Sequence, residues 1–260
     1  LMGRYRGGAS KIAITASSLF GSVSGSAVSN VVSTGVVTIP LMRKSGYPAH
    51  VAGAIEAVAS TGGQLMPPIM GAAAFLMAEF LQIPYKSVVV AAIIPALLYY
   101  AALFIQADLY AARHNISRVE KDLIPKRWPV IKAGWFYMIP FAILIYALFE
   151  LNFQPDTSAL LGAIAVVSVG LIVGYQGKRM SVKDALASFS STGIAVVQIV
   201  MIGAMAGIII GALNITGLGF ALTQALIQIA AGNLFLLLLM AAFISIILGM
   251  GMPTLGVYLL

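Results

Sequence analysis

The chain has 260 residues, of which 60% are hydrophobic and 9% charged, with a net charge of +7. Soluble domains carry about 25% charged residues, so this composition excludes a soluble domain and favours an all-α integral membrane protein. The basic residues gather in short loops between apolar runs, where the positive-inside rule accounts for them, and no nucleic-acid partner is expected. Because the chain has no cysteine, disulfides and thiolate chemistry are excluded.

The first predicted element is a helical hairpin over residues 8–44. Its two apolar arms, on either side of Ser24-Gly25-Ser26, are each shorter than the roughly 20 residues that a full membrane span needs. Basic residues flank both outer ends, at Arg4 to Lys11 and at Arg43-Lys44. We therefore expect a re-entrant hairpin that enters and leaves on the cytoplasmic side, with its tip at Ser24–Ser26.

The second predicted element is a broken helix over residues 49–80. Two consecutive prolines, Pro67 and Pro68, remove backbone donors and disfavour helical geometry before them, so the helix is predicted to stop between Gly63 and Pro68. A hydrocarbon environment tolerates such breaks only where they line a site. The break is expected to face the hairpin tip, and an ordinary membrane helix over 87–107 follows it.

The remaining segments are assigned from charge and length. Residues 108–132 hold many bases and are predicted to be a cytoplasmic linker, whereas the loop ELNFQPDT at 150–157 has acids and no base and is predicted to be external. Residues 133–231 are interpreted as scaffold helices with an external turn over 214–219 and an interfacial arm near 220–231. Residues 232–260 are interpreted as the first arm and tip of a second hairpin, and the whole chain as part of a longer permease.

The two predicted hairpins enter the membrane from opposite sides. Residues 1–107 would then form the first repeat and residues 133–260 the beginning of a second, inverted one. Inverted repeats with broken helices are typical of secondary transporters, whose binding sites lie near the membrane midplane.

Several sequence blocks resemble one membrane-protein family. The blocks SSLFGSVSGSAVSN, GVVTIPLM, EAVASTGGQLMPPIMGAAAF, AAIIPALLYY and LGMGMPT are similar to the large membrane subunit of tripartite ATP-independent periplasmic (TRAP) transporters, and of these most to the TAXI type. The resemblance implies an elevator-type sodium-coupled symporter of the bacterial inner membrane. It also implies a periplasmic solute-binding protein and a small membrane subunit, separate or fused, as partners. Leu255-Gly256 departs from the family's pattern.

Sodium is a hard cation that prefers oxygen ligands, and a broken helix offers freed carbonyls together with nearby hydroxyls. The residues predicted to bind sodium lie at the tip and at the break: Ser24, Gly25, Ser60, Thr61, Gly62 and Gly63. The alternative is that such small residues only pack helices together. We prefer that alternative for the other glycines at helical spacing, namely Gly35, Gly53, Gly203, Gly207 and Gly211.

Unpaired amides at helix N-termini attract anions, which suits a small organic anion such as a carboxylate. The residues predicted to contact the solute are Ser26, Asn30, Gln64, Gly251 and Thr254. For Asn30 a second interpretation stays open, because an asparagine inside a membrane helix is commonly satisfied by a neighbouring carbonyl.

Glu56 is the only acid deep in the first repeat and is a candidate coupling acid. The alternative is that it reaches the cytoplasmic surface or pairs with Arg43 or Lys44. An enzyme is not expected, because the two histidines lie in or beside loops and no general base accompanies the membrane serines. A channel with a re-entrant filter is the alternative function.

Overall fold

The computed structural model describes residues 2–116, 118, 127–151, 153–174, 179–250 and 254–259, and within these ranges the chain is helical and has no strand. An all-α fold is therefore confirmed. The described α-helices are α1 (Gly8–Ser24), α2 (Ala27–Lys44), α3 (Ala49–Gly62), α4 (Ala72–Leu81), α5 (Tyr85–Arg113), α6 (Arg127–Gly134), α7 (Met138–Phe149), α8 (Pro155–Ile172), α9 (Val182–Thr216), α10 (Leu218–Ala230), α11 (Leu234–Gly249) and α12 (Thr254–Leu259). Residues Leu1–Ser181 form one compact unit and Val182–Leu260 a second.

Helices α1 and α2 form a hairpin over the predicted residues 8–44. Gly25 ends α1 with φ 59°, a left-handed conformation that glycine adopts without steric cost, and its amide donates to the Gly21 carbonyl. Ser26 caps α2 by accepting a 3.3 Å hydrogen bond from the amide of Ser29. The chain therefore reverses at Gly25-Ser26, inside the predicted tip.

The predicted broken helix is also present. Helix α3 ends at Gly62, and α4 begins ten residues later at Ala72. Between them the amides of Gly63 and Gln64 donate to carbonyls three residues back, as in a 3₁₀ turn, and the Pro67–Pro68 peptide bond is cis. The interruption lies where the glycine and proline pairs predict it.

The core of the first unit lies between the hairpin, α3 and α5. The hairpin and α3 contribute mainly small side chains, which let the helix backbones approach closely. The most deeply buried members of this core are Ala9, Ala13, Ile14, Met42, Tyr47, Ala52, Ala59, Tyr100, Ala107 and Ala111. Helix α5 is longer than the predicted 87–107, since it runs from Tyr85 to Arg113.

Large apolar side chains cover much of the surface, as lipid-facing helices require. Helix α11 has no buried residue, and its Phe235 is 74% exposed. Within the described ranges two helices are long and apolar enough to cross a membrane, Tyr85–Arg113 and Pro155–Ile172. The shorter apolar helices there are Ala72–Leu81, Trp135–Phe149 and Leu234–Gly249.

In the second unit, one predicted turn is shorter than expected. The sequence suggested a turn over 214–219, but α9 continues to Thr216, whose hydroxyl donates to the Ala212 carbonyl at 2.8 Å. Only Gly217, with φ 68°, separates α9 from α10. Some predicted positions lie outside the described residues. They are Gly251 at the predicted second tip, and residues 117 and 119–126 of the predicted linker 108–132.

Candidate functional site

The hairpin and the broken helix meet backbone to backbone. A Cβ atom added to Gly21, in the last turn of α1, would collide with the Cα atom of Gly63 and lie 2.8 Å from Nδ2 of Asn30. Since only hydrogen atoms occupy this space, the contact requires glycine on both sides. The end of α3 and the inner face of the hairpin thus form one continuous surface of main-chain atoms.

The tip itself lies against the far end of the break. A Cβ on Gly25 would collide with the Met70 carbonyl, and the amide of Ile69 donates to the Ser22 carbonyl at 3.2 Å. The sequence placed the tip beside Ser60–Gly63. The structure corrects this by about one helical turn, because the partner of Gly63 is Gly21 and the tip packs on residues 69–71.

A buried carboxylate lies beneath this contact. Glu56 has no exposed surface, and its carboxylate accepts hydrogen bonds only from hydroxyls among the described groups. The donors come from three helices: Ser17 on α1 at 2.9 Å, Thr34 and Thr38 on α2, and Ser60 on α3 at 3.2 Å. Glu56 therefore joins both arms of the hairpin to the helix that breaks.

Helical spacing explains how these hydroxyls converge. Thr34 and Thr38 are four residues apart on α2, and Glu56 and Ser60 are four apart on α3, so each pair lies on one helix face. Arg43 and Lys44 are exposed at the end of α2. The predicted alternative in which Glu56 pairs with one of these bases is therefore wrong, because the carboxylate is satisfied by hydroxyls inside the protein.

Asn30 joins the same helices about one turn closer to the hairpin tip. It has no exposed surface, and its Nδ2 donates to the Ser17 carbonyl at 2.8 Å and to the Ser60 carbonyl at 3.4 Å. These contacts correspond to the second interpretation of Asn30, in which neighbouring carbonyls satisfy the amide. Asn30 holds the last turn of α3 against the hairpin.

The other predicted site residues differ in how deeply they are buried at the contact. Ser60, Gly62 and Gly63 are buried at the end of α3, whereas Thr61 is exposed and its hydroxyl donates to the Ala57 carbonyl at 2.8 Å. Ser24, Gly25 and Ser26 are partly buried at the tip. Gln64 lies inside the break, where its Oε1 is buried without a hydrogen-bond partner.

Thr254 belongs to the second unit, where it begins helix α12. It is exposed there. Its assignment to the solute stays a prediction.

Three tyrosines of α5 contact the end of α3 and the break. They are not among the predicted site residues. Tyr99 and Tyr100 donate to the Val58 and Ala59 carbonyls at 2.7 and 2.9 Å, just before α3 ends. Tyr85 donates to the carbonyl of Ile69, at the far end of the break. The consecutive tyrosines in an apolar helix were the available signal, since a buried phenol needs a hydrogen-bond acceptor.

Salt bridges join the N-terminal end of α1 to α5. Asp108 binds Lys11 at 2.6 Å and also binds Arg6. The hydrogen bond that Arg6 donates to the Asp108 carboxylate raises the pKa of the Arg6 guanidinium. The hairpin is therefore joined to α5 near its N-terminal end by a salt bridge, and to α3 by the hydroxyl contacts of Glu56 and by Asn30.

The family model described as the DctM component of tripartite ATP-independent periplasmic transporters matches residues 1–260. Curated relatives include the sialic acid TRAP transporter permease protein SiaT of Haemophilus influenzae, 27% identical over 66% of this chain and 28% of the relative. A C4-dicarboxylate TRAP transporter large permease protein of Rhodobacter capsulatus is 24% identical over 66% of this chain and 42% of its own length.

A putative TRAP transporter large permease protein of Haemophilus influenzae is 24% identical over 97% of this chain and 58% of the relative. The chain thus spans between about a quarter and three fifths of the length of these relatives. The relatives are named as transport permeases, not as enzymes. The chain, matched along its whole length by the family model, belongs to the DctM family of TRAP transporter large membrane subunits.

Proposed function

We propose that this chain forms part of the ion-binding and solute-binding region of a sodium-coupled symporter that takes up a small organic anion. The observation that carries the proposal is the backbone contact between Gly21 and Gly63, which places a hairpin tip and a helix break side by side. Breaks of this kind in membrane transporters expose carbonyls and amides where ions and solutes bind. The hairpin is proposed to be re-entrant, and the transporter to operate as an elevator.

The chemistry around the break suits a hard cation. The Gln64 Oε1 atom is a buried oxygen without a hydrogen-bond partner. The carbonyls of Thr61, Gly62 and Gly63 each accept one amide from three residues ahead, which leaves each with a second lone pair. The Ser60 carbonyl accepts Nδ2 of Asn30 as well as the amide of Gly63. We infer that the carbonyls of Thr61, Gly62 and Gly63 would hold sodium. Ser24, Gly25 and Ser60 are proposed as further ligands from the sequence, and the structure places Gly25 against Met70 and Gly71. The Thr61 hydroxyl donates to the Ala57 carbonyl, so we propose that Thr61 contributes its backbone oxygen.

The N-termini of two helices lie together beside this region. Ser26 caps α2 and Gly71 precedes α4, and a Cβ on Gly71 would lie 3.3 Å from the Gly25 carbonyl oxygen. The positive ends of two helix dipoles therefore meet, which favours a carboxylate there. Ser26 and Gln64 are the proposed solute contacts on this side, and Gly251 and Thr254 are proposed from the sequence alone.

Glu56 lies next to the proposed sodium ligands. Its carboxylate contacts the Ser60 hydroxyl, and Ser60 also lies against Asn30. We propose that Glu56 is the coupling acid in the sense that its charge favours a cation at the end of α3. The anchoring hydroxyls keep this charge in a fixed position.

The proposed setting is the bacterial inner membrane, with solute delivered by a periplasmic binding protein and with a small membrane subunit as partner. Family membership supports this setting. The TAXI subtype is proposed from the sequence resemblance.

The test is uptake by the full-length permease in liposomes, with and without its binding protein and an inward sodium gradient. Saturable uptake that needs both, with counterflow of labelled solute, would support the symporter. Large conductance without saturation would favour the channel instead, and sodium-independent uptake would refute the sodium coupling.

A further inference from the structure

We propose that the hydroxyl of Tyr100 is a positioning group that sets the backbone register of the break, and thereby the direction in which the carbonyls of residues 60–63 point. The inference about register stands on the geometry alone. Its consequence for ion binding rests on the proposed function.

The register changes where Tyr100 makes contact. In a continuing α-helix the carbonyl of Ala59 would accept the amide of Gly63, four residues ahead. Instead, the Gly63 amide donates to the Ser60 carbonyl at 3.1 Å, and the Tyr100 hydroxyl donates to the Ala59 carbonyl at 2.9 Å. The phenol thus replaces the amide that α3 would otherwise use.

The three amides after Gly63 follow the same shifted pattern. Gln64, Leu65 and Met66 donate to the carbonyls of Thr61, Gly62 and Gly63 at 3.1, 3.0 and 3.2 Å. A 3₁₀ segment has poorer hydrogen-bond geometry than an α-helix and is used in short pieces. Tyr100 favours the 3₁₀ pattern because its hydroxyl supplies the Ala59 carbonyl with a donor. The Gly63 amide can then donate to the Ser60 carbonyl instead.

Tyr99 provides a comparison within the same helix. Its hydroxyl donates to the Val58 carbonyl at 2.7 Å, but α3 extends to Gly62, whose amide is the α-helical partner of Val58. The Tyr99 bond therefore supplements a helical bond, whereas the Tyr100 bond replaces one. Gly62 lets both rings approach, since a Cβ there would meet the Tyr99 ring and lie 3.0 Å from Cζ of Tyr100.

The test compares Tyr100→Phe with Tyr99→Phe in the full-length permease, because both variants keep the ring and lose one hydroxyl. Hydrogen exchange of peptides covering residues 58–70 reports the register. Uptake in liposomes at varied sodium concentration reports the ion site, and melting in sodium-free detergent reports stability.

In Tyr100→Phe we expect changed exchange confined to the break and an unchanged sodium-free melting temperature, because a regained α-helical bond compensates for the lost one. The sodium concentration for half-maximal uptake should rise about fivefold, the value of one net hydrogen bond. Tyr99→Phe should resemble the wild type in all three measurements.

Equal effects of the two substitutions, or a lower melting temperature of Tyr100→Phe with unchanged exchange at the break, would overturn the inference. If wild-type uptake proves independent of sodium, the proposed function fails. Hydrogen exchange then still decides whether Tyr100 sets the register.

Discussion

Gly21 and Gly63 lie so close that the Cα atom of Gly63 fills the space where a side chain on Gly21 would begin. The contact joins the hairpin to the end of α3 without any side chain between them. It also explains why Asn30 can reach the Ser60 carbonyl, since its amide lies at the edge of the same contact.

Gly21→Ala should destabilise the permease by about 1–3 kcal/mol, because the added methyl overlaps backbone that cannot rotate away. Sodium-dependent uptake should fall with it. Gly53→Ala is the matched control, since a Cβ at Gly53 has no atom within 4 Å and Gly53 also lies in a helix. Melting in detergent and uptake in liposomes measure both variants, and equal melting temperatures for them would contradict the close contact.

Gly25→Ala, at the hairpin tip, should abolish uptake by the permease. Both the φ of 59° and the nearby Met70 carbonyl oppose a side chain at this position. Gly46→Ala has a backbone cost at least as large, because its φ of 99° lies outside the left-handed region that includes Gly25, but it has no atom within 4 Å of the new Cβ. We expect Gly46→Ala to lose about 1–2 kcal/mol of stability and to keep its uptake. If Gly25→Ala also keeps its uptake, close packing at the tip is not required.

Glu56→Gln should lower the melting temperature and the uptake rate. The substitution replaces charge-assisted hydrogen bonds with weaker neutral ones in a site without water access, at a cost of about 2 kcal/mol. Glu79→Gln makes the same chemical change on an exposed side chain and should leave both properties unchanged. A Glu56→Gln protein that melts like the wild type would mean that a neutral amide satisfies these hydroxyls as well as the carboxylate does.

Single cysteines test the topology, since the chain has none of its own. Arg118→Cys lies in the basic linker and Thr157→Cys beside the acidic loop, and both positions are exposed. A membrane-impermeant reagent applied to intact spheroplasts should label Thr157→Cys, and should label Arg118→Cys only after lysis. Labelling of both from one side would refute the topology and the inverted repeat.

The elements of the first unit were predictable because each boundary has a local chemical cause. Gly25 permits the turn and Ser26 caps the following helix, so the hairpin limits 8–44 agree with the structure. Pro67 and Pro68 likewise require an interruption. These are properties of one or two residues and need no knowledge of what lies across the fold.

The partners across the fold were not predictable in the same way. In the sequence, Ser17, Thr34 and Thr38 have no feature that marks them as partners of Glu56. Only the packing of three helices brings their hydroxyls to its carboxylate. Tyr99 and Tyr100 of α5 contact carbonyls 41 positions earlier in the chain. Such pairings depend on helix rotation and register, which apolar periodicity does not determine in a chain that is apolar on nearly every face.

The two arms of the hairpin are matched in length as well as in chemistry. Ser17 contacts Thr34 and Gly21 contacts Asn30, and the members of each pair are equally distant from the turn. Because each residue turns a helix by about 100°, inserting or deleting one residue in either arm would rotate every position beyond it away from its partner. Homologous permeases that keep this hairpin should therefore vary freely in side-chain size on its lipid face, while gaps in their alignments should be absent between Ser17 and Thr34.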